Sequence, residues 1–325
     1  MELLREADID PSPIEGKRVA IIGFGNQGRA QALNLRDSGV DVVVGLRGGS
    51  ASARLAEAAG LKTALVEEAA ASADVAMLLA PDEVLGDLYQ VVEPNLREGA
   101  ALGFSHGLAV HFGLVEPRSD LNVFLVAPKG PGTALRSLFQ AGEGMVALWA
   151  VAQDASGRAR DIALAYGRAI GCARAGLIAS SFAEECEADL FNEQAVVWGA
   201  VPEVLVAGFE TLVDGGISPE VAFLECVGEL KLIAELIEKR GIAGMREAIS
   251  NTAELSALLG GRRMIDDEVR GRMGAVLEEI RSGRFTDELR SERASGYSRL
   301  ENSRQQSRRQ RIEEVFRRLR EAGLR

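Results

Sequence analysis

Sulfur, aromatic rings and positive charge are all in short supply in this 325-residue chain, and each shortage closes off a class of protein. The three cysteines, Cys172, Cys186 and Cys226, contain no CxxC pair, so a thiolate zinc site and a dithiol redox motif are excluded. Scattered singly, they read as small buried hydrophobes in a reducing compartment. Aromatic residues make up 5% of the chain while alanine and glycine abound, which favours closely packed helices. Lys and Arg number 37 against 48 Asp and Glu, a net charge of −11. Binding to a phosphate backbone needs excess cation, so nucleic acid is not an expected partner. The first sixteen residues are acidic and hold Pro11 and Pro13, without the basic start and apolar run of a secretion signal. No window offers about 18 uninterrupted apolar residues, so no membrane is expected either. These absences together point to a soluble protein of the cytoplasm.

What is present is a hydrophobic fraction of 47%, enough for sizeable cores, and a length that suits two domains at roughly 150 residues each. Through the first half, short apolar runs alternate with alanine-rich helical patterns. Residues 18–22, 41–45, 75–79, 100–104, 123–126 and 145–151 read as strands, with helices running to Leu35 and over 51–59. Strands alternating with helices predict an α/β fold with a parallel, doubly wound sheet. Near Ser180 the pattern turns wholly helical, with long periodic stretches at 182–213 and 219–239 separated by Gly215-Gly216. The expected organisation is a dinucleotide-binding Rossmann domain over 1–180 and an all-helical domain over 181–325. The Arg-, Glu- and Gln-rich tail from Ser298 reads as a solvated terminal helix.

Gly23-Phe24-Gly25-Asn26-Gln27-Gly28 is a GxGxxG motif that follows one strand and opens a helix, the context that gives the motif meaning. Gly23 permits the tight turn, Gly25 lets backbone approach a pyrophosphate, and Gly28 lets the helix pack against the strand. The phosphates then meet the helix N-terminus. The next strand runs into Leu46-Arg47-Gly48-Gly49-Ser50-Ala51-Ser52, where an NAD-binding domain usually places a carboxylate. Here Arg47 can pair with a ribose 2′-phosphate and the hydroxyls of Ser50 and Ser52 can donate to it, which favours NADP(H). The serines serve equally as helix N-caps. Further on, Asp189 and Glu193 lie four residues apart in an apolar helical stretch, and Glu225 and Glu229 repeat the spacing in the next. Two such faces offer four hard oxygen ligands, suited to one or two Mg²⁺ ions; a pair of solvated surface acids is the plainer account of each alone.

These segments, together with Pro81-Asp82-Glu83, Phe104-Ser105-His106-Gly107, Ala127-Pro128-Lys129-Gly130-Pro131-Gly132, Glu229-Leu230-Lys231 and Ile249-Ser250-Asn251, closely resemble the ketol-acid reductoisomerases, in their shorter, class I form. The resemblance implies a helical C-terminal domain with a knotted path. It implies alkyl migration in a 2-hydroxy-3-keto acid such as 2-acetolactate, then reduction by NADPH to a 2,3-dihydroxy acid, a step of branched-chain amino-acid synthesis. It implies that Asp189 bridges two Mg²⁺ ions, that Glu193 binds one, and that Glu225 and Glu229 serve the second. By the same resemblance Glu229 shuttles a proton, Ser250 holds the substrate carboxylate, His106 is the active-site histidine and Lys129 neutralises charge beside the metals. The cofactor is implied to contact Pro81, Asp82, Glu83, Val84, Leu85 and Gly132 besides the glycine turn. His111 reads as an ordinary structural histidine. An NADP-dependent reductase of another keto acid or imine, without isomerisation, and a non-catalytic NADP-binding protein are the alternatives. Departures such as Asn192 between Phe191 and Glu193, and Leu255-Ser256 after Glu254, fall partly near Ser250 and bear on the substrate side chain.

One further expectation concerns assembly. The stretch 182–213 carries Leu190, Phe191, Val196, Val197, Trp198, Val201, Val204, Leu205 and Phe209 around more than one face. A helix apolar on several sides must be buried on several sides, which a short helical domain cannot do alone. At least a homodimer is expected, and the resemblance implies active sites shared between subunits.

Overall fold

The computed structural model describes residues 2–324. By contact the chain divides into two compact units, Met1–Ala188 and Asp189–Arg325. The first is built on a sheet with, among the described residues, nine strands: β1 (Leu3–Leu4), β2 (Arg18–Ile22), β3 (Asp41–Leu46), β4 (Lys62–Leu65), β5 (Val75–Leu78), β6 (Ala101–Phe104), β7 (Asn122–Pro128), β8 (Ala147–Asp154) and β9 (Leu177–Ala179). Their order across the sheet is β1-β9-β8-β7-β6-β5-β2-β3-β4. From β4 to β7 every pairing is parallel.

The strands explain themselves by burial on both faces. Val19 and Ile21 point into one core with Val44, Met77, Phe124 and Tyr166, while Ala20 and Ile22 point into the other with Leu78, Leu102, Leu125 and Tyr89. Helices cover both faces, so the strands read as unbroken apolar runs and not as alternating ones. Each fully buried Val, Ile or Leu of this kind contributes about 1.5–3 kcal/mol of transfer free energy.

The wholly parallel sheet expected from the sequence is corrected at β8, which runs antiparallel to β7 with a register shift between Val123 and Phe124. β8 is mostly part-exposed or exposed, with Ala147 and Ala150 buried, where β7 is buried throughout. A half-covered strand near the margin tolerates antiparallel pairing; its direction follows from the path of the connection. β1, β4 and β9 were not legible as strands, being short or, in β4, only partly buried.

The second unit is helical throughout. The stretch expected as one helix over 182–213 is two, Phe182–Ala195 and Ala200–Asp214, parted by a turn at 196–199. A small core of Phe209, Ala222, Phe223, Ile312 and Val315 joins Ala200–Asp214 to the last helix, Arg311–Glu321. That terminal helix is therefore docked, not solvated on all sides, and Arg311 and Arg318 pair with Asp214 and Glu220 at 2.8 and 3.0 Å. Much apolar surface stays exposed, including Trp198 at 65% and Met264 at 72%. By length and composition alone the stretch Phe182–Asp214 is apolar enough to cross a membrane, a test that the core helix of a soluble protein also passes, and the turn at 196–199 divides it.

Candidate active site

The site begins where β2 ends. Gly23 turns the chain with φ +106°, and a Cβ there would lie 2.7 Å from the Leu79 carbonyl oxygen, so only glycine fits. Gly28 is closed likewise, its Cβ position 2.5 Å from the Gly23 oxygen. Gly25 differs: a Cβ on it would meet nothing of the protein within 4 Å. Its bareness serves something that docks from outside, at the N-terminus of helix Asn26–Asp37, where amides and the helix dipole favour phosphate. The cradle fits a dinucleotide. Gly132 opens helix Gly132–Gln140 so close to the turn that a Cβ would fall 2.1 Å from the Asn26 carbonyl, and Asn26 Oδ1 accepts from the Thr133 amide at 3.1 Å. The side chains of Phe24 and Leu85 are buried in the cores, so these two offer a ligand only backbone. Pro81 follows β5, and Asp82–Val84 forms one tight turn beside it.

At the end of β3, Arg47 is exposed and, among the described residues, makes no ion pair. Ser50 caps helix Ala51–Ala58, its Oγ accepting from the Ser52 amide at 3.3 Å. The cap uses an acceptor lone pair and leaves the hydroxyl hydrogen for another partner, so both readings of Ser50 are compatible.

His106 follows β6 and Lys129 follows β7, and one carboxylate joins them. Glu185 Oε2 lies 3.0 Å from His106 Nδ1 and accepts the Gly107 amide at 2.8 Å, while Oε1 accepts from Lys129 Nζ at 3.0 Å. The loop can reach Glu185 because residue 107 is glycine: a Cβ there would sit 2.1 Å from the Phe182 carbonyl. Glu185 is 1% exposed. Burial pushes its carboxyl up, but the hydrogen bond and charge of His106, with the Lys129 ammonium, outweigh that and hold it below its ordinary value. A buried carboxylate that accepts from the Lys129 ammonium and the Gly107 amide and faces the His106 ring has its lone pairs satisfied.

Glu185 was not among the residues singled out from the sequence. The signal existed: it precedes Asp189 by four residues, as Asp189 precedes Glu193, so the three carboxylates form one stripe on helix Phe182–Ala195. The same geometry makes Asp189 and Glu193 a hard-oxygen donor set for a cation such as Mg²⁺. Glu225 and Glu229 are exposed, and the regular helix expected around them is corrected: Leu224–Gly228 forms a π-turn, and Glu229 stands before the helical stretch Leu230–Glu247, which is kinked at Gly241, without a capping side-chain bond. Such widened turns recur at functional sites. Ser250 caps helix Asn251–Met264, accepting from the Ala253 amide at 3.2 Å. His111 lies 3.6 Å from Glu187 and packs at a tilt against Phe112.

A glycine cradle at the carboxyl end of a parallel strand, beside a buried His–Glu–Lys cluster, defines a Rossmann-type oxidoreductase that takes a nicotinamide dinucleotide. Residues 13–176 match the acetohydroxy acid isomeroreductase NADPH-binding domain, and residues 182–323 match the ketol-acid reductoisomerase C-terminal domain. The chain is 39% identical to an NADH-preferring ketol-acid reductoisomerase from an uncultured archean, over 99% of both chains, with a TM-score of 0.95. The chain belongs to the ketol-acid reductoisomerase family. Its fold extends to a semialdehyde dehydrogenase NAD-binding protein from Cupriavidus necator, at 20% identity and TM-score 0.63 over 82% of this chain and 99% of that one. It extends likewise to a pyrroline-5-carboxylate reductase from Coxiella burnetii, at 15% identity and TM-score 0.60 over 82% and 98%.

Proposed function

We propose that the chain converts a 2-hydroxy-3-keto acid of the 2-acetolactate type, by alkyl migration and then NADPH reduction, to a 2,3-dihydroxy acid of branched-chain amino-acid synthesis, in the cytoplasm. The observation that carries this is Glu185 holding His106 and Lys129 together on the helix that bears Asp189 and Glu193. Asp189 and Glu193, with Glu225 and Glu229, would hold two Mg²⁺ ions, which when bound supply Lewis acidity to the substrate's hydroxyl and keto oxygens. Glu185 fixes the His106 ring through Nδ1, so Nε2 is the atom that exchanges a proton. The Lys129 ammonium offsets negative charge that develops on substrate oxygen. Glu229 is the second proton carrier, and Ser250 donates to the substrate carboxylate with the hydroxyl hydrogen its cap leaves over.

NADPH is preferred on this reading because Arg47 stands at the end of β3 with no carboxylate beside it. The NADH preference of the archaeal relative favours the opposite choice. Catalytic efficiency measured with each cofactor decides: equal or better turnover with NADH removes the NADP reading. Oxidation of NADPH with 2-acetolactate, with and without Mg²⁺, tests the reaction itself; NADPH oxidation independent of Mg²⁺ would favour a simple reductase.

The assembly is at least a homodimer with shared sites. Its support is the apolar surface of the second unit, where Val197, Trp198, Val204, Leu232, Leu255 and Leu259 are all exposed.

A further inference from the structure

Beneath the glycine turn lies a branched chain of buried hydrogen bonds that the reaction described above does not use. Gln31, fully buried, sits one turn beyond Gln27 on helix Asn26–Asp37. Its Oε1 accepts from the Tyr166 hydroxyl at 2.6 Å. Its Nε2 donates to Gln27 Oε1 at 3.1 Å and to Ser105 Oγ at 2.9 Å. Gln27 Nε2 in turn donates to the Gly130 carbonyl at 2.9 Å, and Ser105 Oγ to the Val126 carbonyl at 2.9 Å.

The direction of every bond follows from its ends. The carbonyls of Gly130 and Val126 can only accept. Gln27 must therefore present its amide NH₂ to Gly130 and its oxygen to Gln31. Ser105 spends its one hydrogen on Val126 and must accept from Gln31. Both demands fall on the NH₂ of Gln31, which leaves its oxygen facing Tyr166, and Tyr166 must donate. Burial pushes the Tyr166 hydroxyl well above its ordinary pKa, so that proton stays in place. The alternative amide orientation would set oxygen against oxygen at Gly130.

Both branches pass one residue from the chemistry: Ser105 precedes His106, and Gly130 follows Lys129. We propose that Gln31, held by Tyr166, is a positioning residue that fixes the dinucleotide turn in register with the His106 and Lys129 loops. It touches neither cofactor nor substrate; it sets the distance between the hydride donor and the groups that exchange protons. This rests on the reading of His106 and Lys129 given under Proposed function.

Gln31→Met keeps the side-chain volume and removes the three bonds through which Gln31 links Tyr166, Gln27 and Ser105, leaving Gln27 on Gly130 and Ser105 on Val126, while Tyr166→Phe removes one donor and leaves the ring. The experiment follows NADPH binding by fluorescence titration, steady-state turnover of 2-acetolactate, and thermal unfolding for the wild type, both variants and the double variant. The expected result is a loss of kcat of about tenfold or more in Gln31→Met, with the NADPH dissociation constant changed by less than about threefold and a cooperative transition retained. The double variant should fall little further than Gln31→Met, as members of one network do. Folded variants that keep kcat within about twofold of wild type overturn the proposal, as do kcat and NADPH affinity falling together in proportion to lost stability. If Gln31→Met does not fold, Tyr166→Phe carries the same test. A wild-type enzyme inert toward 2-acetolactate would instead defeat the functional reading.

Discussion

Glu185 binds three donors with two oxygens, and that count sets its sensitivity to change. Glu185→Gln keeps the shape, removes the charge and gives one partner an NH₂ where it needs an acceptor, so a loss of turnover of about 10²-fold is expected. The pH dependence of stability gives a second check. Because the folded carboxyl lies below its ordinary value of 4.5, its stabilisation is complete above that value and is lost as pH falls through the lower folded one. Thermal scans of wild type and Glu185→Gln should therefore differ most near neutrality and converge under acid below pH 4.5. A constant gap across that window would remove the carboxylate's charge as the cause. The glycines separate fold from ligand in the same way. Gly23→Ala forces a left-handed backbone and a clash with Leu79, and should cost at least about 1–3 kcal/mol by chemical denaturation. Gly25→Ala meets only open space, so the midpoint should hold while NADPH affinity falls.

At the level of elements, strands β2, β3, β5, β6 and β7 were legible because burial on both faces demands continuous apolar runs. β8's direction was not, since nothing local to 147–154 records which way its connection returns. The π-turn at Leu224–Gly228 was invisible for a similar reason: Glu225 and Glu229 keep helical spacing in the sequence, and the extra residue in the turn leaves no local mark. The β3 loop offers a test at this scale. Ser50→Asp with Ser52→Asp retains a capping oxygen for helix Ala51–Ala58, because aspartate caps as well as serine. Stability should stay within about 0.5 kcal/mol of wild type while cofactor preference moves from NADPH to NADH. A double variant that still prefers NADPH would remove these serines from the 2′-phosphate.

At the scale of the whole molecule, the second unit leaves Trp198, Leu232, Leu255, Leu259 and Met264 exposed, apolar side chains of the kind that mark contact surfaces. If a second copy covers it and active sites are shared, inactive Asp189→Asn and Glu229→Gln subunits should complement. Refolded together at random, about half the dimers are mixed and each holds one good site in two, so activity returns to about a quarter of wild type. Mixtures that dimerise yet stay inactive would defeat shared sites, and an active monomer in sedimentation would defeat the dimer itself.

The amino-acid sequence alone determined the succession of β2, β3, β5, β6, β7 and β8, the glycine turn after β2, the helical character of the second unit, and His106, Lys129, Asp189 and Glu193 as candidate residues. These are local matters: burial sets the apolar period, a positive φ demands glycine, and hard cations demand oxygen. Tertiary structure decided what pairs with what. It turned β8 around, split the 182–213 stretch, widened the turn at Glu225, and brought Glu185 to His106 and Lys129 across 79 and 56 residues of chain. Those contacts depend on where distant elements come to rest, and a carboxylate whose partners lie that far away leaves no periodic trace beside them.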